Sequence, residues 1–441
     1  MNVQDYLFGA RGAAVPHRKA VEDEMSVRMP TPKKVTLAMS QHIGAPCTPT
    51  VKVGDMVGVG QCVGDSDKPM SAPIHSPVSG KVTALTAIRQ SNGTMGPAVV
   101  IESDGEDRPA EGLCPPEVGD RASFLAAVRA SGLVGLGGAG FPAHIKLNPR
   151  NPEAVDTLVV NGAECEPYIT ADYREMMESG EDVLEGVAAV MRWLSIPKAV
   201  IGIENNKPAA IRHLRGLIAE KGLKGVTVKA LPSRYPQGAE KMLIDTCTHR
   251  QVPEGGLPAD VGCIVMNVTS AGFLARYLRT GRPLIEKRVT VAGGGIPEPK
   301  NVIVAIGTPI SEVLDFCGGM SEDTGRLLMG GPMMGIALPD PTLPVLKQNN
   351  AFLALTEEEL APLPATSCLR CGRCSAACPM HLIPTSMADA YERGDIEELN
   401  KRHIMSCLEC GCCAYTCPAY RPLVQTFRLA KAAVRAAGTK K

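Results

Sequence analysis

Short apolar runs alternate with amphipathic stretches through the middle of the chain. "VDTLVV" (residues 155–160), "AVIGIEN" and "VTVKAL" read as buried strands, and "PAAIRHLRGLIAEKG" between the last two carries its apolar residues at helical spacing. Strand and helix in alternation predict a doubly wound α/β unit. Upstream, Phe124, Leu125 and Val128 in "DRASFLAAVRASG" fall on one helical face. Downstream, the uncharged stretch 261–275 contains Gly262, Asn267, Thr269, Ser270 and Gly272, which predicts a buried strand followed by a turn.

The flanks follow other patterns. Residues from about 30 to 104 give two short strand-turn-strand halves, "PTVKVGDMVGVGQCVGD" and "SAPIHSPVSGKVTAL", each with Gly at its turns. Residues 288–319 predict a hairpin and then a helix from Pro309 to Phe316, punctuated by Pro309 at its first turn and Gly318 beyond its end. "SMADAYERGDIEELNKRHIM" reads as two short helices joined at Gly394. The tail "FRLAKAAVRAAGTKK" is a basic helix without acids, predicted to be a solvated helix end.

Composition narrows the function. A chain of 441 residues implies several domains. Net charge is zero and only one Trp is present, so neither charge nor stacking surface points to nucleic acid. No apolar run reaches about 18 residues, and the first twenty residues have no apolar core of the kind a signal peptide needs. Of the 16 cysteines, nine fall in two segments near the end, eight of them at a repeated spacing, as metal ligands in a reducing compartment would.

Those segments are "CLRCGRCSAACP" and "CLECGCCAYTCP", alike at seven of twelve positions. Each has the spacing C-x2-C-x2-C-x3-C-P, in which three thiolates wrap one cubane and the fourth, before Pro, turns to the neighbouring one. The spacing assigns one [4Fe–4S] cluster to Cys368, Cys371, Cys374 and Cys417, and the other to Cys407, Cys410, Cys413 and Cys378. Zinc sites use separated C-x2-C pairs and fit this comb poorly. Cys412 breaks the pattern and is expected to pack as a spare thiol. Two adjacent clusters form a wire, so an electron source is expected elsewhere in the chain.

The candidate source is "GLVGLGGAGFPAHIKL", followed by "VDTLVVNGAECEPY", "SRYPQGAEKMLI" and the strand ending at Asn267. A glycine-rich loop alone is weak evidence, but polar groups beyond the carboxyl ends of strands are where α/β folds bind cofactors. In this order the motifs resemble the flavin- and NADH-binding subunit of respiratory complex I. More closely, and over nearly the whole chain, they resemble the C subunits of the Rnf ferredoxin:NAD oxidoreductase complexes.

The resemblance implies an FMN cradle. Gly135, Gly137 and Gly138 would lie under the flavin phosphate and ribityl, with Lys146 near the phosphate. Asn161, Glu164, Gly238 and Asn267 would contact the flavin or ribityl, and Glu166, Glu240 and Phe141 would face NAD(H), the substrate. The complex I pattern has Asp where Ala163 stands and Glu where Ala239 stands, so no contacts carry over at those two positions. A flavin converts between hydride transfer and single electrons, which is what a pair of cubanes needs.

The fold expected is therefore multidomain α/β and α+β. Residues 1–110 form an N-terminal segment and barrel-sandwich hybrid, and 111–287 a complex I-type FMN/NADH-binding domain. Residues 288–345 form an SLBB β-grasp domain, 346–425 an α-helical two-[4Fe–4S] ferredoxin-like domain, and 426–441 the basic helix. The turn "DSDKPM" resembles the lysine turn of lipoyl domains, but Pro69 follows Lys68 directly and the turn is shorter, so Lys68 reads as a solvated turn residue. His42, His75 and the methionines of "GGPMMG" read as structural.

The resemblance further implies a peripheral protein on the cytoplasmic face of the membrane. Its partners would be integral-membrane and ferredoxin-like subunits, with membrane association through them. Two alternatives share these motifs. A cobalamin reductase has the flavin fold and combs but lacks a barrel-sandwich domain ahead of them. A non-catalytic cluster relay would be consistent with Ala163 and Ala239.

Overall fold

The computed structural model describes residues 11–90, 93–360 and 364–438. At its centre is a four-stranded, all-parallel sheet in the order Val226–Leu231, Lys198–Glu204, Thr157–Asn161, Cys263–Asn267. The chain enters at Thr157–Asn161, winds outward twice, then returns to the other side of the first strand. The order therefore reverses between Thr157–Asn161 and Cys263–Asn267, and a crevice opens at their carboxyl ends. Asn161 and Asn267 are directly opposite one another there.

The stretch 261–275 departs from expectation. Instead of a turn, the strand Cys263–Asn267 runs straight into the helix Val268–Thr280, with Asn267 as N-cap accepting from the amides of Thr269 (2.9 Å) and Ser270 (3.3 Å). The polar residues that suggested a turn are tied by tertiary bonds. Thr269 Oγ1 donates to Asp172 (2.6 Å), and Ser270 Oγ accepts from the Leu136 amide (3.1 Å). The helix packs closely on Gly180–Leu194, where a Cβ on Gly186 would lie 1.9 Å from the Ala271 carbonyl oxygen.

Ahead of this domain, two antiparallel sheets form the barrel sandwich. One has the order Lys34–Ala38, Met95–Ser103, Gly80–Arg89, Met56–Val57 and the other Thr48–Pro49, Cys62–Asp65, Ile74–His75. Val35, Leu37, Val63, Ile74, Val82 and Ile101 fill the space between them. His42 and His75 are buried here, and burial pushes their pKa values down to about 4 and about 3. Lys68 is exposed in its turn.

The expected hairpin pairs Glu286–Ala292 with Lys300–Ala305, and the helix follows at Ile310–Phe316. The sheet is larger than the sequence suggested. Its order is Val27–Arg28, Lys300–Ala305, Glu286–Ala292, Ala351–Thr356, Thr324–Met329, Ile336–Ala337. Ala351–Thr356 is wholly buried between two strands, so the unit continues past the expected limit at 345, and its edge is supplied by the N-terminal segment.

The thiol segments lie in a helical unit whose two short helices, Pro384–Glu392 and Ile396–Lys401, flank Gly394 as expected. The C-terminal helix does not end in solvent from the start. Leu423–Gly438 buries Leu423, Phe427 and Ala430 in the same core as Met387 and Leu399, and Lys431 Nζ reaches the Cys407 carbonyl (2.7 Å). Apolar residues at i, i+4 and i+7 beneath the basic face explain this. Among the described residues no helix is long and apolar enough to cross a membrane. Phe427→Ala is expected to weaken this unit by about 3–5 kcal/mol, read as a lower denaturant midpoint for loss of the cluster absorbance.

Candidate functional site

The glycine loop arches over the crevice. Gly135 N–H donates to the Phe141 carbonyl (2.8 Å), closing the loop at its base, and Leu136 is held on both sides. Its amide donates to Ser270 Oγ (3.1 Å), while its carbonyl accepts from buried Lys287 Nζ (2.6 Å), reaching across from the β-grasp sheet. At the far end, Ile43 N–H of the barrel sandwich donates to the Gly140 carbonyl (3.0 Å). Gly137 passes so near the strand end that a Cβ there would sit 3.1 Å from Asn267 Nδ2. Gly138 adopts φ +112, and a Cβ on it would have no neighbour within 4 Å. Close approach at one glycine and open space at the next make a cradle for a flat or phosphorylated group.

The floor comes from the strand ends. Asn161 Nδ2 donates to the Gly238 carbonyl (2.9 Å) and Asn267 Nδ2 to Asp172 (2.7 Å). Beside Gly238, the buried Gln237 Nε2 lacks a protein partner, an orphaned donor that a bound acceptor would satisfy. Lys146 and Glu240 form an ion pair of 2.7 Å at the mouth, with the Lys146 ammonium 6.0 Å from the centre of the Phe141 ring. Three residues expected at the phosphate and nicotinamide are thus brought together. These features fit FMN: a glycine cradle, a cation at the mouth, and an unpaired buried donor at a strand switch point.

The acidic turn is arranged otherwise. Glu164, at φ +48, turns its carboxylate to the start of the helix Ala171–Glu178, accepting from the amides of Asp172 (2.6 Å) and Tyr173 (3.3 Å). Glu166 accepts from Met333 (3.0 Å) and Met334 (2.9 Å), so it grips the Gly-Gly-Pro-Met-Met loop. Burial raises both carboxyls to about 7. The turn's carbonyls are held by two lysines that no motif points to. Lys19 Nζ donates to Glu164 O (3.0 Å), Glu166 O (2.8 Å) and Ile169 O, and Lys207 Nζ to Ala163 O (2.8 Å). Bonds to backbone carbonyls leave no spacing signal in a sequence. Gln237, likewise absent from the residues expected at the site, stands within the motif "YPQGAE".

The two thiol segments fold alike. Arg370 and Glu409 have φ +52 and +56, Gly372 and Gly411 +75 and +84, and His381 and Tyr420 +57 and +50. The third residue of each segment sends its amide to the first thiol sulfur, Arg370 N to Cys368 and Glu409 N to Cys407, both 3.4 Å. Two small cavities result, one beside each group of thiols. One is lined by Cys368, Cys371, Cys374 and Cys417. The other is lined by Cys378, Cys407, Cys410 and Cys413, with Cys412 beside them. Four thiols around each cavity, with N–H···S donors, fit a cubane. Cys412 is fully buried and donates to the Tyr235 carbonyl (3.6 Å), in keeping with a packing thiol.

Two outcomes are expected. Cys378→Ala and Cys407→Ala lose the same cluster, each dropping iron from about eight to about four per chain with the same surviving EPR signal; Cys378→Ala matching Cys368→Ala would reverse the crossed ligation. Because the folded pKa of Glu166 is raised from 4.5 to about 7, its favourable contribution is full below 4.5 and lost as pH rises through about 7. Glu166→Gln should flatten the dependence of melting temperature on pH across that window.

Comparison with known proteins finds four family models along the chain. Residues 9–106 match the RnfC barrel sandwich hybrid domain, 128–276 the Nuo51 FMN-binding domain, 288–337 the SLBB domain and 363–418 the 4Fe-4S dicluster domain. The barrel match covers the region that a cobalamin reductase lacks. The C subunit of the proton-translocating ferredoxin:NAD(+) oxidoreductase complex of Clostridium ljungdahlii is 45% identical over 413 residues, covering 93% of this chain and 90% of that one. The C subunit of the Na(+)-translocating complex of Acetobacterium woodii is 42% identical over 435 residues, covering 98% of both. The C subunit of the ion-translocating oxidoreductase complex of Rhodobacter capsulatus is 42% identical, covering 96% of this chain and 83% of that one. The chain belongs to the family of C subunits of ion-translocating ferredoxin:NAD(+) oxidoreductase (Rnf) complexes.

Proposed function

We propose that this chain carries electrons between NAD(H) and ferredoxin within a membrane-bound, ion-translocating Rnf complex, through FMN and two [4Fe–4S] clusters. The observation that carries the reading is the shared wall between the cradle and one thiol cavity. Gly238, whose carbonyl accepts from Asn161, donates its own amide to Cys165 Sγ (3.3 Å). Cys165 packs on the apolar group of Tyr235, Cys410 and Cys412. On the other side, Met333 lies between Glu166 and Gly411, where a Cβ would be 3.1 Å from its carbonyl oxygen. The cavity of Cys378, Cys407, Cys410 and Cys413 is therefore the nearer one. The cavity of Cys368, Cys371, Cys374 and Cys417 has exposed Cys371 and Leu369 at its rim and is the exit to a partner.

Bound FMN supplies the conversion between a two-electron hydride and the single electrons that each cubane takes. Overall, two reduced clusters give one electron each, and NAD(+) takes both with one proton to become NADH. The residues of the chain hold and orient. Asn161 and Asn267 fix the strand ends, Gly137 and Gly138 admit the ligand closely, and Lys146 supplies positive charge for a phosphate. Glu240 and Phe141 stand where the nicotinamide would enter, and Glu166 ties that side to the cluster unit. The partners in this reading are integral-membrane and ferredoxin-like subunits, and the chain sits peripherally on the cytoplasmic face.

The isolated chain should reduce ferricyanide with NADH, lose this activity when flavin is stripped, and regain it with FMN. Lys146→Ala should weaken FMN binding by about tenfold or more, as loss of a charge-assisted phosphate contact does, measured by flavin fluorescence quenching. Absence of NADH-dependent reduction in an FMN-loaded chain with full iron would instead make it a relay between partners.

A further inference from the structure

Residues 11–28 form little regular structure, yet they touch every unit on the electron path. At one end Arg11 Nη1 donates to the carbonyls of Ser375 (3.2 Å) and Cys378 (3.4 Å), and the Gly12 amide donates to Ala377 O (3.0 Å). Ala13 exchanges two backbone bonds with Tyr235, 2.7 and 3.0 Å, and Arg234 clasps the carbonyls of Arg11 (3.0 Å) and Gly12 (3.2 Å). Gly12 is at φ +102, and a Cβ on it would sit 2.3 Å from Tyr235 O, so only glycine fits there. Ala13 and Val15 are buried in the same apolar group as Tyr235, Ala377, Cys410 and Cys412.

Further along, Lys19 spends its three ammonium protons on the carbonyls of Glu164, Glu166 and Ile169, all in the acidic turn. Val21 O then accepts from Asn301 Nδ2 (3.0 Å), and Val27–Arg28 pairs as the edge strand of the β-grasp sheet. One short segment is thus bonded to the backbone of a cluster ligand, to the turn at the end of the central strand, and to the sheet that holds the glycine loop through Lys287. These bonds are to main-chain atoms, so they set positions and take no part in the chemistry.

We propose that residues 11–28 are a strap that fixes the distance between the flavin cradle and the nearer cluster, with Arg11 and Lys19 as its positioning residues. Electron transfer between two carriers falls steeply with their separation. A loosened strap therefore slows the step between flavin and cluster while leaving exchange between flavin and nicotinamide in place. The inference rests on the proposed function, since it presumes that electrons pass between these two sites.

The test uses the full-length chain with FMN and clusters loaded, photoreduced anaerobically and mixed rapidly with NAD(+). In Arg11→Ala, flavin reoxidation should keep its rate, and cluster reoxidation should slow by about tenfold or more. Equal rates for both steps in variant and wild type would overturn the strap. Wild-type chain that NAD(+) does not reoxidise would count against the proposed function, not the strap. Hydrogen exchange separates the two, because it needs no turnover. Arg11→Ala, or Gly12→Ala where the first variant loses iron, should speed amide exchange at residues 164–169 and 233–238. Unchanged exchange there would overturn the strap whatever the activity.

Discussion

A buried ammonium donating to backbone carbonyls is the interaction on which this molecule depends. Cofactor sites are made of irregular turns, whose carbonyls no helix or sheet satisfies, and each such carbonyl left bare in the interior costs about 1–3 kcal/mol. Lysine answers three at once from a single long stem. Lys287 holds Leu136 at the start of the glycine loop, and Lys347 joins Pro73 of the barrel sandwich to Gly132 (2.6 and 2.7 Å). Lys19 and Lys207 hold the acidic turn, and Lys431 holds Cys407. Burial pushes Lys19, Lys287 and Lys347 down to about 8, so they keep most of their charge at neutral pH.

These contacts also bond the four units to one another. The glycine loop is gripped from three directions, by Ser270 of its own domain, Lys287 of the β-grasp sheet and Ile43 of the barrel sandwich. The two outer domains thereby gain a structural task, which is to hold the loop that a flavin needs rigid. The cluster unit is joined to the same assembly through Tyr235, Met333 and the N-terminal strap. Fixed separations between carriers follow from this bonding.

What the sequence made legible was whatever is local. Cys368 to Pro379 and its copy carry thiols, turn glycines and stop signals within twelve residues, and each cavity is lined by three thiols of one segment and the last thiol of the other. Strands 157–161 and 263–267 were readable because both faces are buried and each ends in Asn. What was lost is whatever depends on distant partners. Thr269 and Ser270 look like turn formers until Asp172 and Leu136 occupy them, and "AFLALT" is too short and uniform to distinguish a strand from a helix. Arg11 and Lys19 bond only to carbonyls far along the chain, and the apolar stripe of the tail finds its use only against Met387 and Leu399.

The central claim is a continuous path from nicotinamide through a flavin to two cubanes within this one chain. Anaerobic EPR of the photoreduced full-length chain before and after NAD(+) tests it most directly. The account predicts that the reduced-cluster signals disappear and that one NADH forms for each pair of clusters reoxidised. Signals that persist in the presence of NAD(+), in a chain retaining its iron and FMN, would contradict it.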